Sequence, residues 1–423
     1  MTKISIATLA TALVLLSGCN KDNTIDNSID IELDNTIDMQ LIKLGGSTVT
    51  TSAKTRASVE SLDEMGGTMG VFCLAARKTD VKNADPNRTI NWTTMVSNDL
   101  EKYGSTVNGT YWDNVLCKVE KDEERESYQI IPDPAVSQTY NKHYPMNSWF
   151  GYDFYGYYPY DETCAVGQKT STRIYVDMDI DGTKDVIWGK SETPNVAALA
   201  PNNTELQNTL LSSYYSARFF RKIPNLQEEA PMKFEHLLAR FCFIVEPGPD
   251  KEFETPLRYE GAKKLRVKSV TINQVDSCLR LIVADRTNEE LSGTLSARPG
   301  ASDKADFVLQ TKEGKPLANN PVSIETTYEN GIEVPLAKQL GDCIMLLPGG
   351  SKHYTSIVFE DENGGEYHSE SDIAISLADG KTFKAGNTYN VRLQVSGIKE
   401  IGISAELADW EESCEDMDLV EFN

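Results

Sequence analysis

The sequence predicts an all-β protein, or a mainly β one with short helical insertions. Short β-rich runs recur along its 423 residues, separated by Gly, Pro, Asn and Asp, and 28 Gly with 17 Pro fit a chain with many turns. Many short strands with turn signals between them are typical of β-sandwiches rather than of a parallel α/β sheet. At roughly 150 residues per domain, the length predicts two or three domains.

Residues 1–18 have the composition of a secretion signal. Lys3 supplies a positive start, Ile4 to Leu16 form an apolar stretch, and Ser17-Gly18 are small residues of the kind that precede a cleavage site. The apolar stretch is shorter than the roughly 20 residues that a transmembrane helix needs. We therefore predict a signal peptide over residues 1–18.

Two short motifs at the end of this segment resemble those of bacterial lipoproteins. Leu16-Ser17-Gly18-Cys19 resembles the lipobox, and Asn20-Lys21-Asp22 resembles the signal that sends Bacteroidetes lipoproteins to the cell surface. The resemblance implies that the chain is cut before Cys19, that Cys19 carries lipid and that this lipid anchors the exported precursor in the outer membrane. An ordinary signal peptide with a chance Cys is the alternative.

The segment after Cys19 predicts a strand-forming leader. Asp26, Asp30, Asp34 and Asp38 recur at every fourth residue, and Ile, Leu and Met fill the other face of a strand. This alternation favours a strand over a helix, because like charges four residues apart repel one another on a helix. A solvated tether over residues 20–36 is the alternative.

From Gly66-Gly67 onward, short β-rich runs bounded by turn residues predict strands in chain order. Helices are predicted over Val96 to Tyr103 and Thr204 to Phe220, and the charged stretch Lys118 to Ser127 predicts a solvated hairpin or loop. The predicted strands cover residues 68–74, 128–131, 173–176, 185–188, 241–245, 265–272, 278–283, 343–347, 354–359 and 389–395.

A polar segment flanked by prolines, Pro224 to Pro231, predicts the main domain boundary. It divides the chain into an N-terminal β-sandwich over residues 57–228 and a C-terminal β-sandwich with a tail over residues 229–423. Residues 19–56 then form a lipidated leader.

The cysteines predict no disulfide framework and no zinc site. Seven remain besides Cys19, and no two have CxxC spacing. Cys73, Cys242 and Cys343 lie in apolar runs, which predicts small buried residues inside strands. Whether any of the seven pair stays open.

Composition and motifs exclude several functions. The 41 Lys and Arg against 64 Asp and Glu give a net charge of −23, which opposes binding to nucleic acid or to anionic lipid. The sequence has no HExxH, G-x-S-x-G, Walker A or G-x-G-x-x-G motif. His236 could serve as a base, but its place in an apolar run favours a half-buried strand residue with one hydrogen bond. We predict no enzyme, no cofactor and no metal site.

The densest local feature is the aromatic run Trp149 to Tyr160. Alternation within the run favours a central strand, with Tyr152 and Phe154 on one face and Tyr155 and Tyr157 on the other. A platform of aromatic faces that stack on sugar rings is the alternative.

Five segments share a loose pattern of aromatic and turn residues: Tyr152 to Pro159, Asp185 to Gly189, Phe234 to Phe241, Phe383 to Tyr389 and Ile401 to Trp410. Together they resemble segments of the fimbrillin-like proteins of Bacteroidales, which form type V pili. The resemblance implies a pilus subunit, stalk or tip, with two transthyretin-like Greek-key β-sandwich domains that support adhesion.

The resemblance also implies a processing and assembly route. A trypsin-like protease would cut between Arg56 and Ala57, and the released first strand would lie between Asp34 and Thr50. A strand from another fimbrial subunit, either a second copy or a minor pilin, would then fill the open groove. The candidate donor strand lies in the tail, with Met417, Leu419, Val420 and Phe422 as its apolar residues.

Two other functions fit parts of the sequence. A surface glycan-binding lipoprotein would use the aromatic run, and a secreted hydrolase would use acidic residues that nothing in the sequence singles out. The charge fits the assembly hypothesis, because residues 1–56 hold six Asp and Glu against five Lys and Arg, which leaves −22 on residues 57–423. Like-charged subunits resist non-specific association, so they would join through a specific strand-in-groove contact.

Overall fold

The computed structural model describes fourteen stretches of the chain. All of them lie after residue 40, within the unit Gln40–Asn423. The described stretches are 41–48, 67–76, 89–96, 107–122, 127–133, 135, 141–145, 150–165, 168–223, 229–250, 258–369, 373–377, 380–397 and 400–408.

The predicted mainly β class with short helices is confirmed. The largest sheet has eight strands in the order β2-β6-β8-β9-β1-β5-β4-β3. Its strands are β1 (Lys43–Thr48), β2 (Thr68–Ala76), β3 (Thr89–Met95), β4 (Val107–Asp122), β5 (Ser127–Pro132), β6 (Gly151–Tyr158), β8 (Ile187–Ser191) and β9 (Glu229–His236).

This sheet closes on itself. Strand β2 pairs with β6 on one side and with β4 on the other, so that seven strands form a ring and β3 lies outside it. Closure leaves no free edge between the seven strands, and each contributes alternate side chains to the interior.

The second half of the chain forms smaller sheets. One has the order β18-β10-β22-β23, a six-stranded one is built around β11 and β19, and β16 and β17 form a hairpin. Their strands are β10 (Ala239–Pro247), β11 (Leu265–Asp276), β14 (Lys304–Val308), β15 (Val322–Ser323), β16 (Glu325–Glu329), β17 (Ile332–Leu336), β18 (Lys338–Leu346), β19 (Lys352–Asp361), β20 (Glu366–His368), β21 (Ile373–Ser376), β22 (Thr388–Gly397) and β23 (Glu400–Ala408).

One sheet joins the two halves. Strand β7 (Arg173–Asp179) pairs with β12 (Cys278–Asp285), which also pairs with β13 (Leu295–Ala297). The guanidinium of Arg280 donates two hydrogen bonds of 2.6 and 2.7 Å to Asp177 across this pairing. Trp188 Nε1 donates to the Val283 carbonyl at 2.9 Å. Most buried apolar residues of both halves belong to one contiguous core.

The first sheet extends beyond the predicted domain boundary. Strand β9 begins at Glu229, yet it pairs with β8 and with β1, so the structure places it with the N-terminal strands. Residues 224–228 of the predicted boundary segment lie outside the described residues, and Glu229 to Pro231 belong to β9, a strand of the first sheet. The division into two sandwich domains stays a prediction.

The helices are short and mostly connect strands. The predicted helix over Thr204 to Phe220 is two helices, because the Ser216 side chain caps a new one after the turn that follows Ser212. Apart from Val96, the predicted helix over 96–103 lies outside the described residues. The helices are α1 (Val196–Leu199), α2 (Thr204–Ser212), α3 (Ala217–Lys222) and α4 (Glu260–Lys263), with 3₁₀ turns at Glu162–Ala165, Glu289–Leu291 and Leu317–Asn319.

The aromatic run is a central strand, as alternation predicted. Tyr152, Phe154 and Tyr157 in β6 are each 0% exposed and Tyr155 is 4% exposed. Both edges of β6 are paired, with β2 and with β8. These rings therefore fill the core and present no face on which a sugar could stack.

The cysteines differ in part from the prediction. Cys73 is buried and unpaired, as predicted, and Cys117, for which no prediction was made, is so too. Cys242 and Cys343 are also buried, but they form a disulfide between β10 and β18. An irregularity in the pairing of these strands between Phe241 and Phe243 brings the two Cys together.

Candidate functional site

The structure describes only one part of the predicted processing and assembly site. Cys19, Arg56, Ala57, Met417, Leu419, Val420 and Phe422 all lie outside the described residues. Strand β1 (Lys43–Thr48) falls within the span 34–50 in which the released strand was predicted. The candidate site is therefore the groove that β1 occupies.

Strand β1 fills the gap between β5 and β9. It runs antiparallel to β5, with Leu44 opposite Ile130, Gly45 opposite Gln129 and Gly46 opposite Tyr128. It runs parallel to β9 over six positions, from Lys43 beside Glu229 to Thr48 beside Phe234. The ring of seven strands is closed between β5 and β9 only through β1.

A short segment beside β1, residues 141–145, holds its beginning. The Ile42 N–H donates to the Lys142 carbonyl at 2.9 Å, and the Tyr144 hydroxyl donates to the Lys43 carbonyl at 3.2 Å. Leu41 forms an isolated antiparallel bridge with His143. We call residues 141–145 the bracket segment.

The bracket segment is itself fixed to β4. The Tyr111 hydroxyl donates to the His143 carbonyl and Trp112 Nε1 donates to the Asn141 carbonyl, both at 2.7 Å. Burial raises the pKa of Tyr111 further above neutral pH, where a phenol is already a protonated donor. The bracket is therefore a fixed part of the groove rather than part of the leader.

Side chains of β1 alternate between the interior and the outer surface. Leu44 is 3% exposed and Gly46 is buried, whereas Leu41 and Lys43 are exposed. On β9, the inward residues Ala230, Met232 and Phe234 are all 0% exposed. The leader strand thus contributes one large apolar group, Leu44, to a core built by its neighbours.

A ring from β9 occupies the space inside Gly46. A methyl group added at Gly46 would lie 3.3 Å from Phe234 Cε2, 3.5 Å from Ile130 Cδ1 and 3.6 Å from Tyr128 Cβ. The absence of a side chain at Gly46 is what lets the Phe234 ring lie against the backbone of β1.

A cavity of about 350 Å³ opens beside the first residues of β1. Its walls combine apolar side chains with the polar ends of Gln129 and Lys142. The residues around it come from the leader, β4, β5 and the bracket segment: Leu41, Ile42, Lys43, Leu44, Trp112, Gln129, Ile130, Ile131, Pro132 and Lys142.

Removal of β1 would change the sheet in a defined way. The ring would open, and the facing edges of β5 and β9 would lose their hydrogen-bonding partners over the positions that β1 now pairs. An unpaired edge offers N–H and C=O groups to any extended chain that reaches it. The geometry therefore fits β-strand addition, in which the backbone supplies affinity and side-chain pockets supply selectivity.

The histidine that the sequence offered as a base, His236, is engaged in the fold. His236, at the end of β9, is 5% exposed and its Nδ1 is bonded to the Asp185 carboxylate, so it is a buried strand residue rather than a half-buried one. Among the described residues, no group of three or more His, Cys, Asp and Glu side chains could hold a metal ion. In the same part of the chain, no helix has the length and apolar character required to cross a bilayer.

Sequence patterns alone did not reveal the bracket segment, Phe234 or the role of Gly46. Two adjacent glycines inside a strand, Gly45-Gly46, are a signal that another group approaches the backbone closely. The bracket leaves no such signal, because its contacts to β1 run mainly through backbone atoms.

Comparison with solved structures finds matches that extend over most of the chain. A Bacteroides uniformis protein described as a candidate cell adhesion protein aligns with a TM-score of 0.42 and 15% identity, covering 88% of this chain and 99% of its own. A Porphyromonas gingivalis fimbrilin aligns with a TM-score of 0.38 and 9% identity, covering 88% of this chain and 98% of its own. The fimbrial anchor protein Mfa2 of Porphyromonas gingivalis aligns with a TM-score of 0.29 and 10% identity, covering 88% of this chain and 99% of its own. Comparison with curated protein sequences gives no match.

The fold and the groove define a mainly β protein whose largest sheet is closed by a strand from near the N-terminus. The family model for fimbrillin-like proteins matches residues 141–410, which is more than half of the chain. The chain therefore belongs to the fimbrillin-like family. The three TM-scores lie below 0.5, so this assignment rests on the family model and not on them.

Proposed function

We propose that this chain is a structural subunit, stalk or tip, of a cell-surface fimbria that supports adhesion. Membership of the fimbrillin-like family supports the class of function. The observation that carries the assembly step is the position of β1, which comes from the leader and closes the ring between β5 and β9. A strand in that position is replaceable, since its removal leaves a groove with two matching edges.

In the proposed route, the precursor is exported and anchored in the outer membrane through lipid on Cys19. A trypsin-like protease cuts between Arg56 and Ala57, and the leader with β1 leaves the sheet. A strand from another fimbrial subunit then enters the groove. The tail residues Met417, Leu419, Val420 and Phe422 are the proposed donor strand for a neighbouring subunit.

The bracket segment supports replacement of β1 rather than collapse of the groove. Tyr111 and Trp112 hold residues 141–145 through bonds that do not involve β1. The Tyr144 ring also packs against Phe220, with ring centroids 4.4 Å apart. One wall of the groove therefore keeps its contacts when the leader strand leaves.

The proposal is tested by limited digestion of the full-length protein with trypsin. We expect one early cut near Arg56, followed by release of the leader and by uptake of an added extended peptide. Mass spectrometry locates the cut, and size-exclusion chromatography follows the leader and any assembly. If no discrete cut forms near Arg56, and the digested protein neither assembles nor takes up a peptide, the stalk-type assembly is wrong.

A variant provides the matched control for the digestion. Lys54→Gln/Arg56→Gln removes the proposed site together with the neighbouring lysine, after which trypsin also cuts. It should keep the leader attached at trypsin concentrations that fully process the wild-type protein. No observation in the described residues favours glycan binding as a second function, since four of the β6 rings that suggested it, Tyr152, Phe154, Tyr155 and Tyr157, are buried.

A further inference from the structure

The ring of Phe234 is confined on opposite edges by glycines of three different strands. A methyl group added at Gly189 in β8 would lie 2.3 Å from Cδ1, and one added at Gly156 in β6 would lie 3.0 Å from Cε1. The opposite edge, at Cε2, faces Gly46 in β1. The ring therefore has no room to move toward β8 or β6 when a larger residue replaces Gly46.

The neighbouring positions of β1 and β9 are matched in size. Leu44 lies beside Ala230, and Gly46 lies beside Met232. A large residue on one strand thus meets a small one on the other, and the Phe234 ring extends into the space that Gly46 leaves. Interiors packed at this density tolerate added volume poorly.

We propose that the groove selects its occupant by this size pattern: an aliphatic residue at the Leu44 position and glycine two residues later. This inference rests on the proposed function, because it describes the strand that would replace β1. Position 44 fills the pocket beside Ala230. Position 46 must lack a side chain, because even a methyl group there would lie 3.3 Å from Phe234 Cε2 and the Phe234 ring cannot retreat.

The chain's own tail does not have this pattern. Residues 409–423 contain no glycine. Two residues after Met417 stands Leu419, two after Leu419 stands Glu421, and two after Val420 stands Phe422. The small tail residues Ser413 and Cys414 have only Glu or Asp two positions away on either side, so neither strand direction produces a match.

It follows that the occupant of this groove is a strand from a different protein chain, not the tail of a second copy. Its chemistry is defined: an extended segment with an aliphatic residue, any residue, then glycine, in the register of residues 44–46. The proposed donor tail of this chain would then fill the groove of a different subunit. Assembly would join unlike subunits at this site.

Peptide exchange into the trypsin-cut full-length protein tests the inference. The probe is a fluorescent peptide with the sequence of residues 41–48, LIKLGGST, and fluorescence anisotropy measures its binding. Three competitors follow: the Gly46→Leu peptide, the Gly45→Leu peptide as matched control with its side chain on the outer face, and a peptide of residues 409–423. We expect the Gly45→Leu peptide to bind like the parent, and the Gly46→Leu peptide to bind about tenfold or more weakly.

A protein variant makes the test reciprocal. Phe234→Ala opens the space inside position 46, so it should restore binding of the Gly46→Leu peptide relative to the parent peptide. If the Gly46→Leu peptide or the tail peptide binds the wild-type protein as tightly as the parent, the size rule is wrong while the proposed function stands. If the parent peptide itself does not enter the groove after a complete cut, the proposed function fails, and the size rule fails with it.

Discussion

Leu44 of the leader strand lies directly opposite Ile130 of β5, and both side chains are 3% exposed. The pair joins a segment close to the N-terminus to the core of the first sheet. Leu44 also lies beside Ala230 of β9, so this one residue links β5 to β9, two strands that do not pair with each other directly. The stability of the sheet in the uncut protein should therefore depend on this side chain.

Truncation of Leu44 should weaken the uncut protein. Leu44→Ala removes a buried aliphatic group from a closed core and is expected to lower the free energy of unfolding by about 2–5 kcal/mol. Urea denaturation followed by fluorescence measures the change. Lys43→Ala, at the exposed neighbour, is the control and should change stability by less than about 0.5 kcal/mol. Equal stability of the two variants would show that β1 does not contribute to the core.

Acid should destabilise the second half of the chain through His353. This imidazole packs against the rings of Phe241 and Phe383. Burial lowers its pKa from 6.5 to about 4. The Lys304 charge lowers the pKa further, whereas the Asp276 carboxylate acts in the opposite direction. The unfolded chain then binds more protons than the folded one between about pH 6.5 and pH 4. Stability should fall through that window as pH drops, by up to about 3 kcal/mol.

Unfolding at a series of pH values checks this expectation. His353→Phe keeps an aromatic ring in the cluster and removes the titration, so its stability should change less between pH 7 and pH 4 than that of the wild type. His368→Gln, at an exposed histidine, is the matched control and should keep the wild-type slope. A His353→Phe profile parallel to the wild type would exclude His353 as the cause.

Reduction should destabilise the sheet that contains β10 and β18. The Cys242–Cys343 disulfide closes a loop with a sequence separation of 101 residues, and its loss is expected to cost about 2–5 kcal/mol. The Cys242→Ser/Cys343→Ser double variant measures this by urea denaturation without reductant. Cys278→Ser, at an unpaired and half-buried thiol, serves as control. If alkylation of the unreduced protein labels Cys242 or Cys343 after unfolding, the disulfide is absent.

A buried ion pair in the first half should be sensitive to loss of one partner. The Asp153 carboxylate is 4% exposed, accepts a hydrogen bond of 3.0 Å from the Tyr214 hydroxyl and lies 3.4 Å from Lys190 Nζ. Burial alone would lower the pKa of Lys190, but the carboxylates of Asp153 and Glu289 outweigh it and raise that pKa. Lys190→Met leaves a buried charge uncompensated and should cost about 3–5 kcal/mol.

The control for this pair is an exposed one. Lys233 and Glu192 form an ion pair with half-exposed side chains, so Lys233→Met should cost less than about 1 kcal/mol. The Lys190→Met/Asp153→Leu double variant should be more stable than the sum of the single variants predicts, since it removes both charges. Additive single effects would mean that the two groups do not interact.

Strand positions were largely predictable from the sequence, because a long apolar run bounded by turn residues has few alternatives to forming a buried strand. The aromatic alternation of β6 and the apolar run of β10 are two examples, and both are buried. The charged stretch from Lys118 to Ser127 was less clear. The hairpin interpretation is correct, because Lys118 lies in β4, Ser127 begins β5 and the two strands pair. Val119 is buried, whereas its neighbours Lys118 and Glu120 are exposed.

Features that depend on distant partners were not predictable. The Cys242–Cys343 disulfide requires the register of β10 against β18, which no local spacing encodes. The place of β9 in the first sheet depends on its pairing with β1, which precedes it by almost the whole N-terminal half. The close fit between Gly46 and Phe234 was not predictable for the same reason, because it depends on a ring that lies on another strand.

The most direct test of the account is a reversible lock on β1. Gly45 and Gln129 lie opposite each other in the antiparallel pair, and the Cα separation of such pairs suits a disulfide. The Gly45→Cys/Gln129→Cys variant is cut with trypsin and compared in its oxidised and reduced forms. The oxidised form should retain the leader and should not bind the fluorescent peptide of residues 41–48. Reduction should restore uptake to the level of wild-type protein in the same reductant. If the oxidised, cross-linked protein takes up the peptide as readily as the reduced one, the groove of β1 is not the site of strand entry.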